Sequence, residues 1–271
     1  MSDDACRLCG GALSHCFDGR LLGRHAVRYF ECQACGSLQT EPPFWLDEAY
    51  AESNLSPLDT GAAQRNLNNL GAVLALTRWL GLVRVLDHGG GDGLLVRLLR
   101  DRGLDAFVRD RHARPKYAMG FGQPGATRPD LVTAFEVLEH FVNPREELRA
   151  LFDPQPRALL VSTDAWDGQG PDWWYLAPDT GQHAFFYTRR ALSDLAAREG
   201  YRLMRVGGYW LFLRRGTFPR WRERIARTLL SSRLRGLRNA WAVTRGTPGI
   251  MRDHDSLAAA LRGRDADGAP R

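Results

Sequence analysis

The sequence predicts a doubly wound α/β sheet, with a small metal-binding module before it and a basic helical tail after it. Three observations carry that prediction: apolar strand-like runs alternate with helical periodicity from residue 61 to 213, a glycine-rich turn follows the first of those runs, and four cysteines stand as two CxxCG pairs near the N-terminus. With 271 residues, 44% hydrophobic and 25% charged, the chain has room for one full α/β domain and a small accessory module. The same figures exclude collagen-like, low-complexity and disulfide-knot classes. No apolar run approaches the roughly 20 residues that span a bilayer. The N-terminus, MSDDACRLCG, is acidic and has no apolar h-region. A cytoplasmic location is therefore expected.

The first module, residues 1–40, is read as a zinc ribbon. Cys6 and Cys9, then Cys32 and Cys35, form two knuckles with 22 residues between them, each followed by glycine. Zinc takes four soft ligands at tetrahedral corners, and a CxxC turn folds two thiolates onto one ion. This spacing favours metal over disulfides in a reducing compartment. Cys16 is left over, and His15 or His25 would be the only substitute ligands nearby. Residues 41–60 contain Pro42-Pro43 and Ser56-Pro57 and read as a linker.

The main domain is placed at 61–215. Leu67, Leu70, Val73, Leu74, Leu76 and Leu80 recur at helical spacing. Strands are expected at Val83–Leu86, Ala106–Val108, Leu131–Phe135 and Ala158–Val161, with helices at Leu94–Arg102, Pro144–Leu151 and Arg189–Glu199. Tyr201–Leu213 reads as two strands turning at Gly207-Gly208. Between the first strand and its helix lies Asp87-His88-Gly89-Gly90-Gly91-Asp92-Gly93. Such glycines let a ligand approach the backbone at the carboxyl ends of the strands. A GxGxxG dinucleotide pattern from Gly89 would need a glycine where Leu94 stands, and no GxxxxGK[ST] occurs. The pattern present is DxGxGxG, on Asp87, Gly89, Gly91 and Gly93.

That loop resembles motif I of the class I S-adenosylmethionine (SAM)-dependent methyltransferases. Asp110 ends the second strand, where the family places an acid on the ribose hydroxyls, and Asp130 to His140 (DLVTAFEVLEH) resembles the fourth strand and its turn. The resemblance covers roughly residues 61–213. It implies a Rossmann-like class I methyltransferase sheet, with SAM bound by Asp87, Gly89, Gly91, Gly93, Asp110 and Glu136. The ExxEH stretch, Glu136 to His140, also resembles the metal-binding set of certain metal-dependent O-methyltransferases, in which a distant histidine completes the site; His183 would be that residue. In other relatives the same stretch lines the cleft without metal.

Residues 164–187 form an aromatic lid, with Trp166, Trp173, Trp174, Tyr175, Phe185, Phe186 and Tyr187 interleaved with glycine and proline. Following the fifth strand, it should overhang the acceptor entrance, as aromatic walls suited to sugars or flat rings, unless the rings pack on themselves. Gly181-Gln182-His183 resembles the stretch carrying an active-site histidine in zinc-containing deoxysugar methyltransferases, and a histidine base suits acceptor deprotonation. His183, Glu136 and His140 are therefore the catalytic candidates. The expected function is methylation of a small-molecule or sugar-containing acceptor. The alternatives are an RNA methyltransferase using the Arg-rich tail and a non-catalytic SAM-fold partner protein. Nucleic acid is poorly supported in the first module, since residues 1–60 hold four basic side chains against nine acids.

The net charge of +6 sits in the tail. Residues 214–271 carry 14 Arg and five acids, whereas residues 1–213 hold 23 basic and 26 acidic side chains. Within 216–271, Trp221, Ile225, Leu229, Leu234, Leu237 and Trp241 recur at near-helical spacing until Gly246 and Pro248. They predict an amphipathic helix, docked on its own domain or laid peripherally on an anionic membrane.

Overall fold

The computed structural model describes residues 5–51, 59–122 and 128–266 and arranges them around two sheets. The first begins as a meander of β1 (Leu13–Leu21), β2 (His25–Cys32) and β3 (Leu38–Thr40), antiparallel throughout. A single turn, α1 (Leu46–Ala49), and a long helix, α2 (Ala62–Leu80), lead into the main sheet. Its strands and helices alternate as β4 (Arg84–His88), α3 (Leu94–Asp101), β5 (Asp105–Arg109), β6 (Leu131–Phe135), α4 (Pro144–Phe152) and β7 (Ala158–Ser162). Each lies within two residues of the span its periodicity predicts. Pro144 opens α4 at its first position, where the missing N–H costs nothing.

After the lid come β8 (Phe185–Phe186), α5 (Arg189–Arg198), β9 (Tyr201–Val206) and β10 (Tyr209–Arg214). Thr188 caps α5, its hydroxyl accepting from the Ala191 N–H at 3.0 Å. The main sheet runs β5-β4-β6-β7-β10-β9: four parallel strands closed by an antiparallel hairpin. The chain reverses its direction of travel between β4 and β6. This switch point opens a crevice at the strands' carboxyl ends. One core cluster, including α2 and α3, covers one face of the sheet; another, including α4 and α5, covers the other.

Three expectations need correction. The ribbon is not a free-standing module, because its sheet takes a fourth strand from the lid: Leu38 pairs with Phe186 and Gln39 with Phe185. Arg7, inside the first knuckle, donates to the carbonyls of Ala184 (2.6 Å), Thr40 (3.1 Å) and Val142 (3.3 Å), tying the ribbon to the main domain. Second, the linker carries structure. Trp45 is buried and its indole N–H donates to the Gly181 carbonyl at 2.7 Å. Ser56-Pro57 lies outside the described residues.

The third correction concerns the tail. It forms three helices, α6 (Arg220–Leu230), α7 (Arg235–Thr244) and α8 (Gly249–Ala266), because Ser231 takes extended backbone angles and breaks the first helix from the second. Ala226, Leu230 and Ala242 are the apolar side chains these two helices bury, whereas Trp221, Ile225, Leu237 and Trp241 are exposed. Small residues let α6 and α7 lie close on α2, which leaves the larger ones outside. The helix α8 returns to α3, where Asp253 pairs with Arg100 at 2.7 and 2.9 Å in a buried fork. Among the described residues no helix is long and apolar enough to cross a membrane.

Candidate active site

The crevice has two walls. The first is the loop after β4. Asp87, 4% exposed, accepts a hydrogen bond from the Thr133 hydroxyl of β6 at 2.6 Å, and burial pushes its carboxyl up to about 7. Gly89 has φ +70°, and an added Cβ would lie 2.5 Å from Val137 Cγ2. Gly91 has φ +55° with nothing within 4 Å of its Cβ position. The first glycine is required by packing, whereas the second faces open space, as a ligand-facing backbone must. Gly93 also has positive φ, and a Cβ there would press on Ala118.

Asp110 lies just past β5, as the sequence predicts, but its carboxylate already serves the backbone. Oδ2 accepts from the Gly91 N–H at 2.9 Å, and Oδ1 accepts from His112 and Ala113, both at 2.7 Å. A carboxylate has about four acceptor sites. Asp110 thus fixes the glycine loop and keeps one acceptor position beyond these three bonds. Glycines, a braced acid and an open edge fit the methionine and ribose parts of SAM.

The second wall starts at Val137, the residue against which Gly89 packs. Glu136 has φ +54°, a conformation non-glycine residues seldom adopt. Its carboxylate accepts from the Ser162 and Tyr175 hydroxyls. The buried Tyr175 also accepts, through its backbone carbonyl, a hydrogen bond from His183 Nδ1 at 2.7 Å. The opposite ring nitrogen of His183, Nε2, is then the basic atom. His140 and His183 meet edge to face with centroids 4.8 Å apart, and the Tyr50 hydroxyl lies 3.0 Å from His140 Nδ1. Burial holds His183 down to about 4 and, with His183 beside it, His140 to about 3, so both rings are neutral at pH 7.

Glu139 is fully buried, and neither carboxylate oxygen has a hydrogen-bond partner. Burial and the neighbouring Glu136 charge push it up to about 8. Glu139, His140 and His183 present one ligand atom each within 4.8 Å of one another. The three catalytic candidates are therefore brought together, Glu136 through Tyr175 and the histidines directly.

Sequence reasoning missed Tyr50 altogether. Besides meeting His140, its ring stacks on His112 at 5.1 Å, so it spans both walls. The aromatic lid departs from expectation too. Trp166, Tyr175, Phe185, Phe186 and Tyr187 are buried, several against ribbon residues such as Leu21, Val27 and Tyr29, and only Trp174, 72% exposed, is open to solvent. The rings form a core because the small ribbon sheet has no other apolar layer to cover it.

At the ribbon's far end the four cysteines converge, with Cys6 Sγ 3.8 Å from Cys35 Sγ and Cys9 Sγ 3.5 Å from Cys32 Sγ. Zinc–sulfur bonds of about 2.3 Å at tetrahedral angles put sulfurs about 3.8 Å apart. The four thiols and these two spacings fit the demands of a zinc ion. Cys16 is exposed and His15 pairs with Asp18, so neither joins it.

A methyltransferase domain family model matches residues 49–206. No curated protein sequence matches the chain. Among solved structures, an O-methyltransferase family protein from Burkholderia thailandensis is similar at 15% identity and TM-score 0.44, covering 56% of each chain. This chain thus spans little more than half of that protein. The 1,6-didemethyltoxoflavin-N1-methyltransferase of the same organism, solved with its substrate and S-adenosylhomocysteine, aligns at 16% identity and TM-score 0.46, over 73% of this chain and 97% of that one. A magnesium protoporphyrin IX methyltransferase from Synechocystis PCC 6803 aligns at 17% identity and TM-score 0.43, over 62% and 92% respectively.

Proposed function

The chain belongs to the methyltransferase domain family, matched over more than half its length, and from that premise we propose that it methylates a hydroxylated small molecule, with a sugar-containing precursor as the narrower reading. The observation that carries the proposal is the contact of Gly89 with Val137, which sets an open glycine loop beside a half-buried histidine pair. Bound SAM supplies an electrophilic methyl group on a sulfonium, open to in-line displacement. Asp87, Gly89, Gly91, Gly93, Asp110 and Glu136 hold the cofactor. His183 Nε2 takes the proton of the acceptor hydroxyl, while Tyr175 fixes its tautomer from the other nitrogen. His140, oriented by Tyr50, and Glu136 complete the polar wall against which the acceptor lies. Zinc on Cys6, Cys9, Cys32 and Cys35 holds the ribbon and, through β3 and β8, the segment carrying His183.

The test is transfer of labelled methyl from SAM across three acceptor panels: hydroxylated aromatics, nucleotide sugars and RNA. Transfer to RNA alone would reject the reading, and transfer to neither small-molecule panel would remove its substrate class.

A second reading rests on Glu139. Two unpartnered carboxylate oxygens in a buried position beside two neutral imidazoles are what a divalent cation requires. In this reading Glu139, His140 and His183 hold the ion, which would act on the acceptor oxygen as a Lewis acid. Manganese binding followed by electron paramagnetic resonance, with Glu139→Gln as the control, separates the two: a bound Mn²⁺ signal lost in the variant favours the metal over a simple histidine base.

A further inference from the structure

The outermost layer on the α2 side of the molecule buries little of its own apolar surface. Both α6 and α7 pack on α2 through Ala226, Leu230 and Ala242, and two charged side chains are buried with them. Glu223 is buried and bonded to Arg202, and the buried Arg238 donates to the carbonyls of Leu229 and Ser231. Exposed on these two helices are Leu237 at 70%, Val243 at 52%, Ile225 and Trp241, together with Trp221 at 57%, whose ring also meets Trp79 of α2 edge to face. Isolated exposed apolar residues need no explanation, but a run of them on two adjoining helices does.

The charge around them selects the occupant. Between residues 214 and 251 there are ten Arg and one acid, the buried Glu223. Arg220, Arg224, Arg227, Arg233, Arg235 and Arg245 are exposed. A second copy of this surface would set like charges against one another. Apolar side chains of the Ile225, Leu237 and Val243 kind gain nothing from a phosphate backbone, which disfavours RNA. We infer that the outer faces of α6 and α7 bind an anionic membrane surface, with Trp221, Leu237 and Trp241 entering the interface and the exposed arginines meeting lipid phosphates. Tryptophan at the headgroup boundary, guanidinium groups around it and apolar tips below are the arrangement such a surface favours. The enzyme would then work beside acceptors that carry a lipid or gather at a membrane.

Full-length protein should be sedimented with vesicles of phosphatidylcholine alone and of phosphatidylcholine mixed with phosphatidylglycerol. The expected result is binding to the mixed vesicles only, weakened by salt and reduced at least about tenfold by Leu237→Ser with Trp241→Ser. Arg224→Gln with Arg235→Gln should weaken it several-fold. Unchanged affinity for SAM in both double variants shows that the fold survives. No binding to anionic vesicles at low salt overturns the inference. So does vesicle binding that the apolar variants leave intact, or retention by single-stranded RNA in place of vesicle binding. None of these outcomes touches the SAM assignment, which rests on the opposite end of β4.

Discussion

The two walls of the crevice are made of different material. The proposed cofactor wall is contiguous backbone: a loop of seven residues whose shape is set by glycine dihedrals and braced where the Gly91 N–H donates to Asp110, itself held by the His112 and Ala113 N–H groups. The proposed acceptor wall is side chains drawn from four separate segments, Tyr50, Glu136–His140, Tyr175 and His183, held by hydrogen bonds and ring contacts. A backbone cradle is closed to added atoms where it packs, as at Gly89, and its shape is set mainly by its own glycine dihedrals. A side-chain wall tolerates conservative change but fails when any supporting segment moves. The ribbon supports only the second, since its sheet pairs with β8, two residues after His183.

Breaking the first wall should have the largest effect. Gly89→Val drives a side chain into Val137 at a φ of +70°, and isothermal titration should show SAM affinity lost by at least about a thousandfold. Next comes His183→Ala, which should lower turnover by about 10²- to 10⁴-fold, the usual worth of a general base, with SAM affinity unchanged within a few-fold. Zinc removal by Cys32→Ser should sharpen the contrast. Elemental analysis should show about one zinc per chain lost, with turnover falling while SAM binding survives. Equal loss of both would mean that the two walls depend on the ribbon alike.

Smaller effects are expected at the residues between the walls. Tyr50→Phe removes one hydroxyl from His140 and should cost about tenfold in turnover, roughly one hydrogen bond. The buried Asp87 adds a pH signature. Its carboxyl is raised from 3.8 to about 7 in the folded protein. Between those values the folded chain keeps a proton that the unfolded chain has lost, so raising pH through this window removes stability. Comparing denaturation of the cofactor-free protein with Asp87→Asn from pH 4 to 8 should show that decline lessened in the variant. A parallel pair of profiles would place Asp87 outside the loop's electrostatics.

How much could be read in advance follows the same division. The glycine loop, the alternating strands and the cysteine knuckles are local patterns, and their positions in the fold agree with their spacing. Tyr50 carried no signal, because a single tyrosine after a Pro-Pro pair acquires its role only when α1 folds over His112. The lid shows why aromatic composition misleads. The same rings serve a ligand wall or a core, and only the ribbon strand beside Phe185 and Phe186 decides between them. In the tail, helical spacing identifies which residues share a face but not which way that face points. Ala226 and Ala242 mark the inward side, and small residues carry no hydrophobic period of their own.

The central claim, that the loop from Asp87 to Gly93 is the SAM cradle and stands apart from the acceptor wall, is tested most directly by calorimetric titration of S-adenosylhomocysteine into Gly91→Arg and His183→Ala. Nothing lies within 4 Å of a Cβ at Gly91, so the arginine fills the ligand's place, and the φ of +55° strains the loop as well. The expected result is no detectable binding to Gly91→Arg and near wild-type affinity in His183→Ala. Wild-type affinity in Gly91→Arg would contradict the assignment.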